Sequence, residues 1–229
     1  MLIRKEIRLT GLALLLALAA CTPQTQLLFA LMPNGTVPIM LSHLEGVSDG
    51  NRQRLADFER RGDWEGLARF AEENLAQDKS NADWWTMAGY AYSRLERYPR
   101  AIECYAEAVR LAPDEITWWN LLAQAYRSAG QPERAVHTLN NALNIRQDVP
   151  VTFFLLGESF GDMGRLQPAL DGYQQALRLN REFAQAWFGM GRVYVRQERY
   201  AEAADIVKVL ETLDPGLAAG LSKLLPQRK

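Results

Sequence analysis

Shifting the chain against itself by 34 residues superimposes Trp85, Trp119, Phe153 and Trp187. The same shift aligns Gly89, Ala123, Gly157 and Gly191, then Tyr92, Tyr126, Phe160 and Tyr194, and then Ala101, Ala135, Ala169 and Ala203. Two further columns follow, Tyr105 with Leu139, Tyr173 and Val207, and Ala108 with Ala142, Ala176 and Leu210. A fixed period of this length is the signature of stacked units that cannot bury their apolar faces alone. Within each unit the apolar positions recur three and four apart on two stretches, which makes each unit a pair of antiparallel helices. Small residues in the Gly89 and Ala101 columns let the paired helices approach, and the Trp85 and Tyr92 columns fill the space towards the neighbouring pair. Gly130 and Gly164 mark turns between helices, and Pro113 and Pro215 mark places where a pair ends. Gln147 and Arg181 depart from that proline column.

Over residues 82 to 217 these columns resemble the tetratricopeptide repeat. The resemblance implies an all-α fold, a right-handed α-solenoid of antiparallel helix pairs, with repeats at 82–115, 116–149, 150–183 and 184–217. One more step back meets Asn51, Leu55, Phe58, Leu67, Ala71 and Asn74, of which only Phe58 suits its column. The helical alternation nevertheless persists over 51–61 and 65–77 around Gly62-Asp63-Trp64, so residues 48–81 are expected to form a divergent first repeat, atypical because a terminal unit turns one face to water. The array then runs from 48 to 217. The remaining 218–229 are expected to hold a capping helix and tail, the helix reading from 216 to 225 across that boundary and ending at Pro226.

The start of the chain reads as an address. Arg4, Lys5 and Arg8 precede a twelve-residue apolar stretch from Leu9 to Ala20, shorter than the roughly 20 residues a helix needs to span about 30 Å of hydrocarbon. Residues 1–20 therefore suit a secretory signal. They end in Leu18-Ala19-Ala20-Cys21, which resembles the lipobox of bacterial lipoproteins. The resemblance implies cleavage before Cys21 and lipidation of its thiol and amine, so that the membrane is reached through lipid at Cys21. Thr22, in place of an aspartate after the cysteine, implies the periplasmic face of the outer membrane. With Cys21 lipidated, Cys104 has no partner and is expected to be a buried, inert thiol. Between anchor and array, residues 21–47 hold two apolar clusters, Leu27 to Met32 and Val37 to Leu41, in a stretch without formal charge from Leu9 to Leu44. An apolar tether gains by leaving water. Packing against the first hairpin as an irregular cap, contact with the lipid surface, and occupation of the array's own groove are the open alternatives.

Little in the chain suggests catalysis. His43 and His137 are the two histidines and neither sits in a recognisable motif; Gly157, Gly161 and Gly164 are spaced as packing and turn glycines rather than as a phosphate loop. Asn34-Gly35-Thr36 reads as a turn. No catalytic residue, metal or cofactor is expected. A net charge of −1 provides no general attraction to nucleic acid, and none is expected as a partner. Trp84 and Trp118 belong to the packing pattern, with a sugar-binding platform as the alternative.

The family resemblance instead implies a concave groove lined by the first helix of each pair. Carried across by column, its residues are Thr86, Asn120, Phe154 and Phe188; then Tyr90, Gln124, Glu158 and Arg192; then Arg94, Ser128, Asp162 and Arg196, with Arg127 beside them. The basic and asparagine set with which some cytosolic repeats clamp a carboxylate is not reproduced. A change from amide and hydroxyl groups to aromatics suits a protein or peptide partner with polar backbone contacts and an apolar anchor. The expected function is that of an outer-membrane-anchored periplasmic lipoprotein, a non-catalytic scaffold or assembly factor for an envelope machine such as a pilus, a secretin or a polysaccharide exporter. An adaptor for peptidoglycan hydrolases, or a carbohydrate-binding or enzymatic protein on a repeat fold, is the alternative.

Overall fold

The computed structural model describes residues 47–226. The expected signal peptide, Cys21, both apolar clusters, the Asn34-Gly35-Thr36 turn and His43 lie outside the described residues. Among the described residues there are eleven helices and no strand. They are α1 (Asp49–Arg61), α2 (Trp64–Gln77), α3 (Ala82–Arg94), α4 (Tyr98–Leu111), α5 (Ile116–Ser128), α6 (Pro132–Ile145), α7 (Pro150–Asp162), α8 (Leu166–Leu179), α9 (Ala184–Arg196), α10 (Tyr200–Leu213) and α11 (Pro215–Ser222). None is long and apolar enough to cross a membrane.

Local chemistry sets the helix starts. Asp63, Asn81, Glu115 and Asp214 each accept a hydrogen bond from a backbone N–H of the first turn, and proline occupies the first turn of α4, α6, α7 and α11, where its missing N–H costs nothing. The turns inside the hairpins share one device. Gly62, Glu96, Gly130, Gly164 and Glu198, spaced 34 residues apart, have φ between 57° and 72°. The residue after each donates its N–H to the carbonyl five residues back, Asp63 to Phe58, Arg97 to Tyr92, Gln131 to Tyr126, Arg165 to Phe160 and Arg199 to Tyr194, each at 2.9 Å. This closes the helix end in a left-handed cap. The device includes the first hairpin, so residues 48–81 repeat the backbone where the side-chain columns fade.

Packing inside each hairpin follows volume complementarity between two columns. A Cβ placed on Gly89 would meet the Tyr105 ring at 2.8 Å, and one on Gly157 would meet Tyr173 at 2.7 Å. Where the ring is replaced by Leu139, the glycine becomes Ala123. In the first hairpin the bulk changes sides, with Leu55 on the first helix and Ala71 on the second, both fully buried. At the other end Leu221 of α11 packs on Gly191, where an added Cβ would lie 2.4 Å from it, so α11 covers the last repeat. Tryptophans of the leading column close the inter-repeat loops: Trp85 donates to Lys79 O at 2.9 Å, Trp119 to Pro113 O and Trp187 to Arg181 O at 2.8 Å.

The helices pack in sequence, and the first helices of neighbouring hairpins, α5 with α7 and α7 with α9, approach each other more closely than the second helices do. That asymmetry bends the array with its first helices on the inside. The inner surface of this solenoid of helix pairs is therefore built from α1, α3, α5, α7 and α9.

Candidate functional site

Close approach of the first helices decides which inner residues reach the surface. Thr86 and Asn120, expected on the groove, are 0 % exposed, and Tyr90 is 4 % exposed. These three therefore lie in the packing beneath the groove and not on it. Thr86 spends its hydroxyl on Ala82 O, 3.0 Å away in its own helix. Asn120 accepts from the Thr152 hydroxyl at 3.1 Å, and its Nδ2 finds no partner among the described residues. In the same column Phe154 and Phe188 are too large for that niche and stay half-buried. Phe154 packs on Phe183 and Tyr173, with centroids 5.1 and 6.0 Å away, and Phe188 leans on Gly220 of the capping helix.

The next column holds a polar network. Arg127, with its side chain 13 % exposed, donates from Nε to Asp162 at 2.8 Å, from one terminal nitrogen to Gln124 at 3.0 Å and from the other to Glu158 at 3.1 Å. Glu158, 15 % exposed, also accepts from the Tyr173 hydroxyl at 2.5 Å and has Arg192 at 3.9 Å. Burial, followed by the Glu158 charge, pushes the Tyr173 hydroxyl far above its ordinary range, so it stays a proton donor. Gln124, Arg127, Glu158, Asp162 and Arg192 are thus brought together, and they serve chiefly one another. Tyr173 belongs to this group and was legible only as a packing residue. A signal for the link exists in the spacing: Arg127 and Glu158 are 31 residues apart, three short of the period, which puts them opposite on adjacent first helices.

The same offset recurs at the N-terminal end, where the Tyr90 hydroxyl meets Glu59 at 3.4 Å. Burial and the Glu59 carboxylate push Tyr90 up to about 12 against the opposing Arg94. Arg94 lies 4.3 Å over the Trp64 ring and 3.4 Å from the Tyr90 hydroxyl, so it too is held inward. What the inner surface leaves towards solvent is concentrated in α7 and α9: the half-buried Phe154 and Phe188, exposed Asp162, and exposed Arg192 and Arg196, the latter tied through one nitrogen to Gly161 O at 3.0 Å. Exposed Ser128 ends α5.

Other candidates fall away from this surface. Trp84 and Trp118 are buried, so neither ring can stack on a sugar. His137 is exposed on α6. Cys104 is buried and free, its thiol pushed up to about 11 by burial.

Two sequence profiles of the tetratricopeptide repeat family match the chain, over residues 80–148 and 154–218, together more than half of it. No curated protein matches significantly. Among solved structures, the chain is similar to MamA from Desulfovibrio magneticus RS-1 (residue 41 to its end), with a TM-score of 0.62 at 20 % identity, covering 72 % of this chain and 93 % of that one. It is similar also to TTC0263, a thermophilic tetratricopeptide repeat protein of Thermus thermophilus, with a TM-score of 0.62 at 18 % identity over 75 % of this chain and 95 % of that one. A third is YrrB, described as a tetratricopeptide repeat protein with an unusual peptide-binding site, with a TM-score of 0.56 at 21 % identity over 74 % and 88 %. Periodic columns, helix pairs, shared left-handed caps and these matches agree: the chain belongs to the tetratricopeptide repeat family.

Proposed function

We propose that the chain is a lipoprotein held by acyl chains on Cys21 at the periplasmic face of the outer membrane, and that it acts as a non-catalytic scaffold or assembly factor for an envelope machine. Its partner is a protein segment lying in the C-terminal half of the groove. The observation that carries this reading is the division of the inner surface. Between α5 and α7 the polar groups are consumed by the Arg127–Glu158 network, whereas α9 offers Phe188 beside exposed Arg192 and Arg196. An extended segment with an apolar anchor followed by a carboxylate answers both features. That YrrB is described as having a peptide-binding site supports a peptide as the class of partner. For the anchor, the support is Leu18-Ala19-Ala20-Cys21 after a basic and apolar leader; acyl chains hold a protein at about 0.8 kcal/mol per buried methylene, with no spanning helix required.

The test combines Phe188→Ser with Arg192→Glu and reads cross-linked pull-down from membranes beside a melting curve. Loss of the partner with a shift of melting temperature of a few degrees supports the reading; a folded variant that keeps every partner overturns it. Fatty-acid labelling that is absent from the wild type, or present in Cys21→Ser, overturns the anchor.

A further inference from the structure

The outer side of the array carries a cavity of about 730 Å³ between α2 and α4, over Trp85 and Ala88 of α3. One column explains it. Three residues after the tryptophan column, the later repeats carry Leu122, Leu156 and Met190, all buried, but the second carries Ala88. The smaller side chain leaves room for a hollow whose apolar lining is the half-buried Trp85 above the buried Leu75, Ala88 and Cys104. The lip is polar but already answered. Arg100 is paired with Glu103 at 2.7 Å and with Glu72 at 3.7 Å, and Glu107 with Arg110 at 2.9 Å, while Lys79 is long enough to keep its ammonium in water. The hollow therefore calls for an uncharged, apolar occupant.

We propose that the occupant is this chain's own Val37-Pro38-Ile39-Met40-Leu41, which sets an apolar side chain over Ala88 in the column where the three later repeats supply Leu122, Leu156 and Met190. The segment leads directly to the site. Val47 is 2 % exposed and its carbonyl receives Arg52 Nε at 2.9 Å, so the chain joins α1 from within the packing. Because α1 and α2 are antiparallel, Val47 stands at the end of the hairpin where α2 presents Leu75 and Ala76 to the cavity. Six residues from Leu41 to Val47 reach about 20 Å when extended, enough to cross the roughly 8–10 Å between packed helix axes and enter the furrow beyond. The segment is uncharged, as the paired lip requires, and Pro38 biases the residue before it towards extended backbone. Docking would also shorten the tether between Cys21 and the array; that consequence alone rests on the lipid anchor, and the test below does not use it.

The full chain carrying Cys21→Ser keeps Cys104 as its single thiol, a reporter already in the cavity wall. Single cysteines at Val37, Ile39, Met40 and Leu41 are oxidised beside a Gln24→Cys reference, and disulfides are read by non-reducing gel and peptide mass. At least one of the four is expected to link to Cys104 within the same chain about tenfold faster than the reference, since docking raises the local thiol concentration. If none exceeds the reference, or if the links join two chains, the proposal is overturned. Ala88→Leu places in this column the leucine of the third and fourth repeats, Leu122 and Leu156, and fills the hollow. It is expected to speed chymotrypsin cleavage after Met40 and Leu41 about tenfold, because cleavage there follows the undocked population, and to abolish the disulfide with the melting temperature not lowered. Unchanged cleavage and linking in a folded Ala88→Leu chain likewise overturn the proposal, and should that variant fail to fold, the cysteine series decides alone.

Discussion

Replacing Arg127 by alanine separates the two roles its network could have, holding the array together or waiting for a ligand. The guanidinium makes three hydrogen bonds, at 2.8 Å to Asp162, 3.0 Å to Gln124 and 3.1 Å to Glu158. Its loss strands the Glu158 carboxylate, 15 % exposed, with only the Tyr173 hydroxyl at 2.5 Å and Arg192 at 3.9 Å. Breaking a wholly buried ion pair costs about 3–5 kcal/mol, most of it the penalty of the charge left behind. The remaining partners and partial exposure reduce that to about 2–3 kcal/mol here. If the stranded charge is the cause, removing it should help, so Arg127→Met combined with Glu158→Gln is expected to recover at least about 1 kcal/mol of the loss, while the glutamine still accepts from Tyr173. Urea unfolding followed by far-UV circular dichroism measures the free energies, and amide exchange in α5 and α7 localises the effect, because repeat arrays open unit by unit. An Arg127→Ala chain within about 0.5 kcal/mol of wild type, or a double variant no more stable than the single one, refutes a structural role; the network would then be a loose surface cluster with polar groups to offer a partner.

Three further outcomes follow from single columns. Glu96 and Glu198 hold left-handed backbone at φ 57° and 60° where the other hairpins use glycine, so Glu96→Gly and Glu198→Gly should each raise stability by about 0.5–1 kcal/mol in urea melts. A Cβ on Gly189 would stand 2.6 Å from the Tyr173 ring, whereas one on Gly50 meets nothing within 4 Å; Gly189→Ala should cost about 1–3 kcal/mol and Gly50→Ala should gain about 0.5 kcal/mol. Burial holds the Cys104 proton up to about pH 11 against an ordinary value of 9.0, so the folded chain binds more protons than the unfolded one between these values. Stability should be intact below about pH 9 and fall as pH rises through that window, and Cys104→Ala should flatten the decline, read as urea midpoints from about pH 8 to 10.

A repeat is legible in sequence where its units solve the same packing problem with the same residue types. Gly89 facing Tyr105 and Gly157 facing Tyr173 do so, which is why the fold and the turns at Gly130 and Gly164 could be read from columns. The first hairpin was faint because it solves the problem in reverse, with Leu55 large and Ala71 small, and its shared backbone appears only in the left-handed Gly62 and the bond from Asp63 to Phe58. Polarity misled for a related reason. Thr86 and Asn120 read as surface groups, yet a hydroxyl satisfied by its own helix, as Thr86 is by Ala82, can sit in the interior at little cost. Aligning like with like also conceals contacts between unlike columns: Arg127 meets Glu158, and Tyr90 meets Glu59, both across 31 residues and never across 34. Common columns specify the array. What distinguishes this chain must lie in its departures, namely Ala88 where the three later repeats carry Leu122, Leu156 and Met190, and Phe154 and Phe188 where the earlier ones bury small polar groups. Those departures fall on opposite faces of the array, so an occupant of the outer hollow leaves the inner groove open.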